Sequence, residues 1–449
     1  LSLFDWQLFV DAESFLQCRL KELLNKSSFA LQQATEIQRN TSTNIFDWID
    51  HLALPSESVS VEELLKMGFK ESQKSIDDAT VFRVAGSSLF PLVLKSGKSS
   101  EVALRVENMD DFRKTLGKEK SVQGARNSSF RKLSLVDEND FAFSFVERRG
   151  SSGYAVEDTG DIDSYVEALS ALESRKREFQ SVEEGIYETE KLLENFKNKL
   201  SKPRLADVFF RAERRYWETR NRAAEVQKSR QNKVGMGWGN VDHHTFRSSR
   251  GNFAALIHMF EYLGLELRES FHAGAQAGWG AQILEEKDGR NVIFADVDLS
   301  VEEKDIDFAH KALEIRSQLG TVGLWVGLHG ESILEAGMHH LAARFRFEAA
   351  REDLNALGVG MMKPFSNFPF LKQAFTEPEK WQVRVEKLNL LLKNRSLTSE
   401  QTSVFLRDGA VGSHLENIER GQGFKGFNQN SVSAIIKRTN PLSQEGKYA

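Results

Sequence analysis

A chain of 449 residues is longer than one hydrophobic core serves well, so two or three domains are expected. The formal charge of −5 and pI near 6.2 give no global attraction to nucleic acid or to an anionic membrane. A single cysteine, Cys18, excludes an internal disulfide and any cysteine-based zinc or iron–sulfur centre, so a metal must use histidine and carboxylate and an intracellular, reducing compartment is expected.

No apolar run reaches the roughly 20 residues that a membrane-spanning helix needs, and no secretory pattern is visible. A chain that opens on Leu1 is expected to have been trimmed, which leaves a removed organellar targeting peptide open. Residues 1–150 read as a mixed α+β domain. Apolar residues at three- and four-residue spacing (Phe9, Phe15, Leu20, Leu23, Leu24) predict one or two amphipathic helices before residue 36. Residues 41–68 read as short helical pieces, among them 44–50, with Ser60 and Glu63 as a capping box. Runs rich in β-branched and aromatic residues over 81–95, 101–106 and 130–146 predict strands. The basic stretch 114–132 is read as a solvated loop in preference to a phosphate site.

Residues 155–235 read as a long helical hairpin. Tyr165, Leu172, Phe179, Ile186, Leu193 and Leu200 recur every seven residues, as in a coiled-coil seam, and predict one long helix over 161–200. Arg175 and Thr189 interrupt the companion row, which favours packing on the same chain, while the hairpin stays a candidate homo-oligomer contact. Pro203 then separates a second helix, 204–233, dense in arginine and aromatic residues. Asp207, Glu213, Glu218 and Glu225 dilute its charge, so no nucleic-acid partner is expected.

Residues 236–449 carry the chemistry. If 241–247 is a strand, alternation puts His243, Thr245 and Arg247 on one face and Asp242, His244 and Phe246 on the other. An imidazole can hold a metal, and a guanidinium four residues on can grip a carboxylate with two hydrogen bonds. The bland alternative has one histidine in the core, the other solvated, and Arg247 in a surface ion pair. A helix then carries Phe253, Leu256, Ile257, Phe260 and Leu263 on one face, followed by strands at 265–271, 279–284 and 292–297. A second copy of this strand, helix and three strands begins at Met338 with His339 and His340 and closes on a strand near 412–418, with an insertion at 377–407 that reads as two helices. The fold class expected is α+β: a C-terminal core of two βαβββ modules, preceded by the helical hairpin and the mixed N-terminal domain. Two modules that each open on histidine, the second closing on Glu416, supply the two-histidine, one-carboxylate set of non-haem Fe(II) oxygenases.

The segments Asp242-His-His-Thr-Phe-Arg247, Met338-His-His-Leu341, Leu371-Lys-Gln-Ala-Phe-Thr376, Val411-Gly-Ser-His-Leu-Glu-Asn-Ile-Glu-Arg420 and Gly423-Phe-Lys-Gly-Phe-Asn428 resemble, in that order, the 2-oxoadipate dioxygenase/decarboxylases. These are the bacterial 2-hydroxyglutarate synthases and their plant relatives, built on a vicinal-oxygen-chelate core. The resemblance covers roughly Trp238 to Thr439 as a series of short motifs. It implies that His243, His339 and Glu416 hold Fe(II), that Arg247 clamps the substrate carboxylate, and that a 2-oxo acid and O2 give a shortened hydroxy acid and CO2. Spacing to Phe347 selects His339, although the adjacent His340 leaves the assignment open by one residue. Gln429, Asn430 and Ser431 stand where the family's backbone helps hold the 2-oxo acid, so they are expected at the substrate.

Trp279 and Gln282 are further candidates for the pocket, as wall and as hydrogen-bond donor, against a packed aromatic beside a tight turn. His329 and Glu331 are read as loop residues in preference to partners of a ligand histidine, His414 as an accessory hydrogen-bonding group, and Asp296 and Asp298 as caps of the next segment. Two other functions remain open: a vicinal-oxygen-chelate isomerase or lyase using Mn, Zn or Ni as Lewis acid, and a non-catalytic coiled-coil scaffold.

Overall fold

The computed structural model describes residues 6–74, 79–117, 120–126, 128–156, 162–272, 278–287, 291–303, 305–428 and 442. Two helices open it, α1 (Val10–Leu24) and α2 (Ser28–Thr41), the second capped by Ser27, whose side chain accepts from the Ala30 amide. They lead into β1 (Ile49–Pro55), α3 (Val61–Lys66), β2 (Phe69–Lys74), β3 (Thr80–Val84), β4 (Leu92–Lys95), β5 (Ser100–Arg105), α4 (Met109–Leu116), β6 (Phe130–Glu138) and β7 (Phe141–Arg148). These strands form one seven-stranded sheet in the order β2-β3-β4-β1-β5-β7-β6.

Four helices follow: α5 (Ile162–Glu173), α6 (Val182–Glu194), α7 (Lys202–Glu218) and α8 (Arg222–Asn232). The single helix expected over 161–200 is broken after Glu173. The cause is polar: Arg175 and Arg177 turn inward to pair with Glu213 of α7, which is fully buried, and a continuous helix would carry them past it. Pro203 sits in the first turn of α7, where its missing amide hydrogen costs nothing, and Asn221 caps α8.

The second sheet begins at β8 (Val241–Arg247) and continues through α9 (Phe253–Tyr262), β9 (Leu265–His272), β10 (Trp279–Glu286) and β11 (Val292–Asp298). Helix α10 (Thr321–His329) bridges to the second half, β12 (His340–Arg344), α11 (Phe347–Ala356), β13 (Ser366–Phe368) and β14 (Leu371–Phe375). The insertion, β15 (Lys380–Trp381), α12 (Val385–Lys393), α13 (Ser399–Asp408) and β16 (Ala410–Val411), precedes β17 (His414–Arg420). The eight strands run β13-β14-β17-β12-β8-β11-β10-β9, so two βαβββ modules meet antiparallel at β8 and β12. Within each, the first strand pairs parallel with the last, β8 with β11 and β12 with β17. The helices and the underside of this sheet share one core, in which Phe209, Phe210, Phe246 and Phe260 are almost fully enclosed.

The N-terminal sheet repeats this plan, which the sequence did not reveal. β1 pairs parallel with β4 and β5 with β7, and the halves meet antiparallel at β1 and β5. An isolated antiparallel bridge from Gln123 to Lys132 stands where the fourth strand of the second half belongs. The repeat extends to a bulge. Asp50 is the extra residue between Ile49 and His51 against β5, and Asp242 is the extra residue between Val241 and His243 against β12. Among the described residues, no helix is long and apolar enough to cross a membrane.

Candidate metal centre

The bulge at Asp242 sets the site. A regular strand would send Asp242 and His243 to opposite faces, but here the Asp242 Oδ1 accepts from the His243 Nδ1 at 3.0 Å. Arg420 forks onto the same carboxylate through Nε and Nη2, at 2.8 and 3.0 Å, and Arg344 Nε adds a third contact at 3.0 Å. With Nδ1 so occupied, His243 turns Nε2 toward Glu416 Oε2, 3.3 Å away. His340 Nε2 lies 3.1 Å from that same oxygen and 2.8 Å from Thr245 Oγ1. Glu416 Oε1 is held by Gln373 Nε2 at 2.9 Å, and Gln373 Oε1 accepts from Ser366 Oγ.

Register explains the convergence. His340 faces His414, and Glu416 faces Ala342, which is itself opposite His243, so all three polar side chains leave one face of the sheet. The sequence argument selected His339. The structure puts His340 beside His243 and Glu416 instead, because β12 begins at His340 and parity then carries that side chain to the shared face. His339 precedes the strand; its Nδ1 meets the Gly412 carbonyl at 3.2 Å and its ring sits edge-on to Trp325.

Electrostatics follow from burial. His243 loses water, yet Glu416 and Asp242 outweigh that loss and hold its pKa up at about 8. Burial opposes ionisation of Glu416, but the His243 charge and the hydrogen bonds from His243 and His340 keep it well below the usual carboxylate range. Burial pushes His340 down, with Glu416 opposing. The donor set fits a divalent first-row metal: two imidazole nitrogens and a carboxylate oxygen, each buried, lie within 4.8 Å of one another. The Asp242–His243 bond is the carboxylate–histidine arrangement that orients ligand imidazoles in metal sites.

A cavity of about 70 Å3 adjoins this cluster, walled by Phe271, Trp279, Phe294, Phe365, Phe375 and Phe427. Trp279 is part of this wall. Arg247 reaches the cavity 2% exposed, stacked over Trp325 at 5.4 Å. Its Nε pairs with Asp296 Oδ2 only at 3.7 Å, too far for a hydrogen bond, and neither Nε nor Nη1 has a hydrogen-bond partner. Burial lowers the Arg247 pKa to about 10 and raises that of Asp296 to about 7.

The remaining candidates lie elsewhere. Gln282 donates to the Glu269 and Ile283 carbonyls and stays out of the cavity lining. Glu331 accepts from the Ser249 amide and hydroxyl and ties down the loop after β8. Asp298 caps α10 through the Gly320, Val322 and Gly323 amides. His329 meets the Val411 carbonyl at 2.9 Å. Gln429, Asn430 and Ser431 lie outside the described residues. Sequence reasoning missed Gln373 and the cavity role of Asp296; the outward parity shared by Asp296 and Arg247 on paired strands was the available signal.

The N-terminal sheet holds a counterpart of this cluster. Arg148 forks onto Asp50 at 2.7 and 2.8 Å, and Asp50 Oδ1 meets His51 Nδ1 at 2.8 Å. Registers align His51 with His243, Glu101 with His340 and Ser144 with Glu416. Glu101 is paired there with Lys132 and, at 3.3 Å, with Lys95.

No known protein-family profile and no curated protein matches the sequence. Solved structures do resemble the chain. A triple variant of 4-hydroxymandelate synthase from Streptomyces coelicolor is 11% identical over 88% of this chain and 98% of its own, with a TM-score of 0.30. Methylmalonyl-CoA epimerase from Mycobacterium tuberculosis is 13% identical over 41% of this chain and 89% of its own, with a TM-score of 0.24. At such scores the likeness carries no argument about fold or activity, and both rest on strand order and side chains.

Proposed function

We propose that the chain is a metal-dependent enzyme of the vicinal-oxygen-chelate kind, an Fe(II) oxygenase that decarboxylates a 2-oxo acid to a shortened hydroxy acid. One observation carries it: a single oxygen, Glu416 Oε2, lies 3.3 Å from His243 Nε2 and 3.1 Å from His340 Nε2 at the wall of a cavity rich in aromatic side chains. His243, His340 and Glu416 would hold the ion, His340 replacing the His339 expected from spacing. Fe(II) in such a set supplies Lewis acidity toward the 2-oxo acid and the one-electron chemistry that makes O2 reactive.

The chain's own groups do the rest. Arg247 offers buried Nε and Nη1 donors without hydrogen-bond partners, where gripping a carboxylate compensates both charges. Phe271 and Phe294 each pack edge to face on Phe427 and give the cavity an apolar wall. Asp296 Oδ2, beside Arg247, can keep a proton near neutral pH and hand it to an oxygen of the bound acid. That poised carboxyl also favours a second reading, a Lewis-acid isomerase or lyase with Mn, Zn or Ni, which needs a proton shuttle and no O2. A scaffold has no use for either feature.

Anaerobically Fe(II)-loaded protein offered a panel of 2-oxo acids in an oxygen electrode tests the reading. Substrate-linked O2 uptake is expected, and with 18O2 both labelled atoms should enter the hydroxy acid, one in its new carboxylate and one in its hydroxyl. Turnover at full rate without oxygen would overturn it in favour of the isomerase or lyase.

A further inference from the structure

His414 opens β17 with no exposed surface, yet neither of its ring nitrogens has a hydrogen-bond partner, and His340 Nδ1 lacks one too. Leaving buried polar atoms unpaired is costly, and one ion could take a nitrogen of His414 together with one of His340. The rings are close: His414 lies 4.7 Å from His339 edge to face and 5.0 Å from His340 nearly parallel, with Phe375 3.9 Å away as backing. One nitrogen from each of His339, His340 and His414 falls within 4.8 Å of the others. The pairing of His340 with His414 across parallel strands creates this, and His339 completes it from the turn before β12.

We propose that His339, His340 and His414 form a second, all-nitrogen metal position that competes with the position at His243, His340 and Glu416 for the shared His340. The inference rests on the reading of His340 as a ligand in the proposed catalytic site. Three imidazoles bound at roughly 2.1 Å stand roughly 3 Å apart, so the rings close inward on loading. With no carboxylate, the set favours ions whose affinity for imidazole is highest, Cu(II) first, then Zn(II) and Ni(II); Mn(II) and Fe(II) gain more from Glu416. Arg247 faces both positions, and only the one containing Glu416 brings a negative charge to balance it. An ion of the copper or zinc type therefore draws His340 away and leaves Glu416 without its metal.

The test uses metal-free full-length protein, with Cu(II) alone and Mn(II) alone as probes, comparing wild type, Glu416→Gln and His414→Phe by equilibrium dialysis. Phenylalanine keeps the stacking against Phe375, and circular dichroism checks that each variant is folded. Cu(II) affinity should fall about tenfold or more in His414→Phe and change little in Glu416→Gln, the scale of losing a ligand or its support. Mn(II) should show the reverse order. Pulsed electron paramagnetic resonance of the wild type with Cu(II) should count three imidazoles, which does not depend on any variant folding. Two imidazoles, or unchanged Cu(II) affinity in folded His414→Phe, overturns the second position. Mn(II) binding that ignores Glu416 would instead overturn the catalytic reading, while the copper result still decides the second position.

Discussion

Arg420 forks onto Asp242 with two contacts at 2.8 and 3.0 Å, and the carboxylate it fixes is the one that orients His243. Asp242 is thus a positioning residue. Replacing it with Asn keeps the shape and removes the charge that selects the protonated Nδ1, so Mn(II) affinity should fall about 10- to 100-fold. Titration of folded Asp242→Asn that matches wild type would reduce the pair to a structural tie.

Metal retention should separate neighbouring histidines. His243→Ala, His340→Ala and Glu416→Ala should each release most of a bound Fe(II) or Mn(II), and His339→Ala should not. Elemental analysis after gel filtration reads this directly, and full occupancy in Glu416→Ala would remove that residue from the ligand set.

Much of this cluster could be seen in the sequence, and the misses have physical causes. Alternation over 241–247 was sufficient to bring His243 and Arg247 to one face, but a bulge is invisible to a period-two argument, so Asp242 was sent to the wrong side. His339 was preferred to His340 because spacing along the chain says nothing about where a strand begins. The N-terminal repeat escaped because β1 follows directly on a 3-10 turn at Ile45–Trp48, which makes the whole segment read as helical. The heptad over 161–200 was present, yet burial of Arg175 and Arg177 against Glu213 outweighed it.

Arg247→Lys keeps the charge and loses the planar fork. Metal binding should persist while kcat/KM falls by about 2–3 kcal/mol, roughly 30- to 150-fold. Steady-state kinetics that match wild type would return Arg247 to a packing role.

The N-terminal pairing sets a pH dependence. Burial opposes the charge on Glu101, but Lys132, His51 and Lys95 hold its pKa down to about 2, against 4.5 for a free glutamate. A depressed carboxylate adds stability above its unfolded pKa, and that stability is lost as pH falls through the folded pKa. The contribution is at most about 3 kcal/mol at pH 7 and fades between about pH 4.5 and 2. Lys132→Met should therefore destabilise the protein in urea at pH 7 by about 2 kcal/mol, with a gap that shrinks by more than half near pH 3. A gap equal at both pH values would assign the loss to packing.

Lys132 also bears on how the molecule meets metal scarcity. Its ammonium is a tethered cation, supplied by the gene and present at every ion concentration, paired with Glu101 at the register position that His340 holds in the proposed metal site of the C-terminal half. The N-terminal sheet can therefore assemble before any ion arrives. On the proposed reading, chains made while the metal is scarce would have this half complete and the C-terminal site still to be filled, ready to be activated by supply without new synthesis.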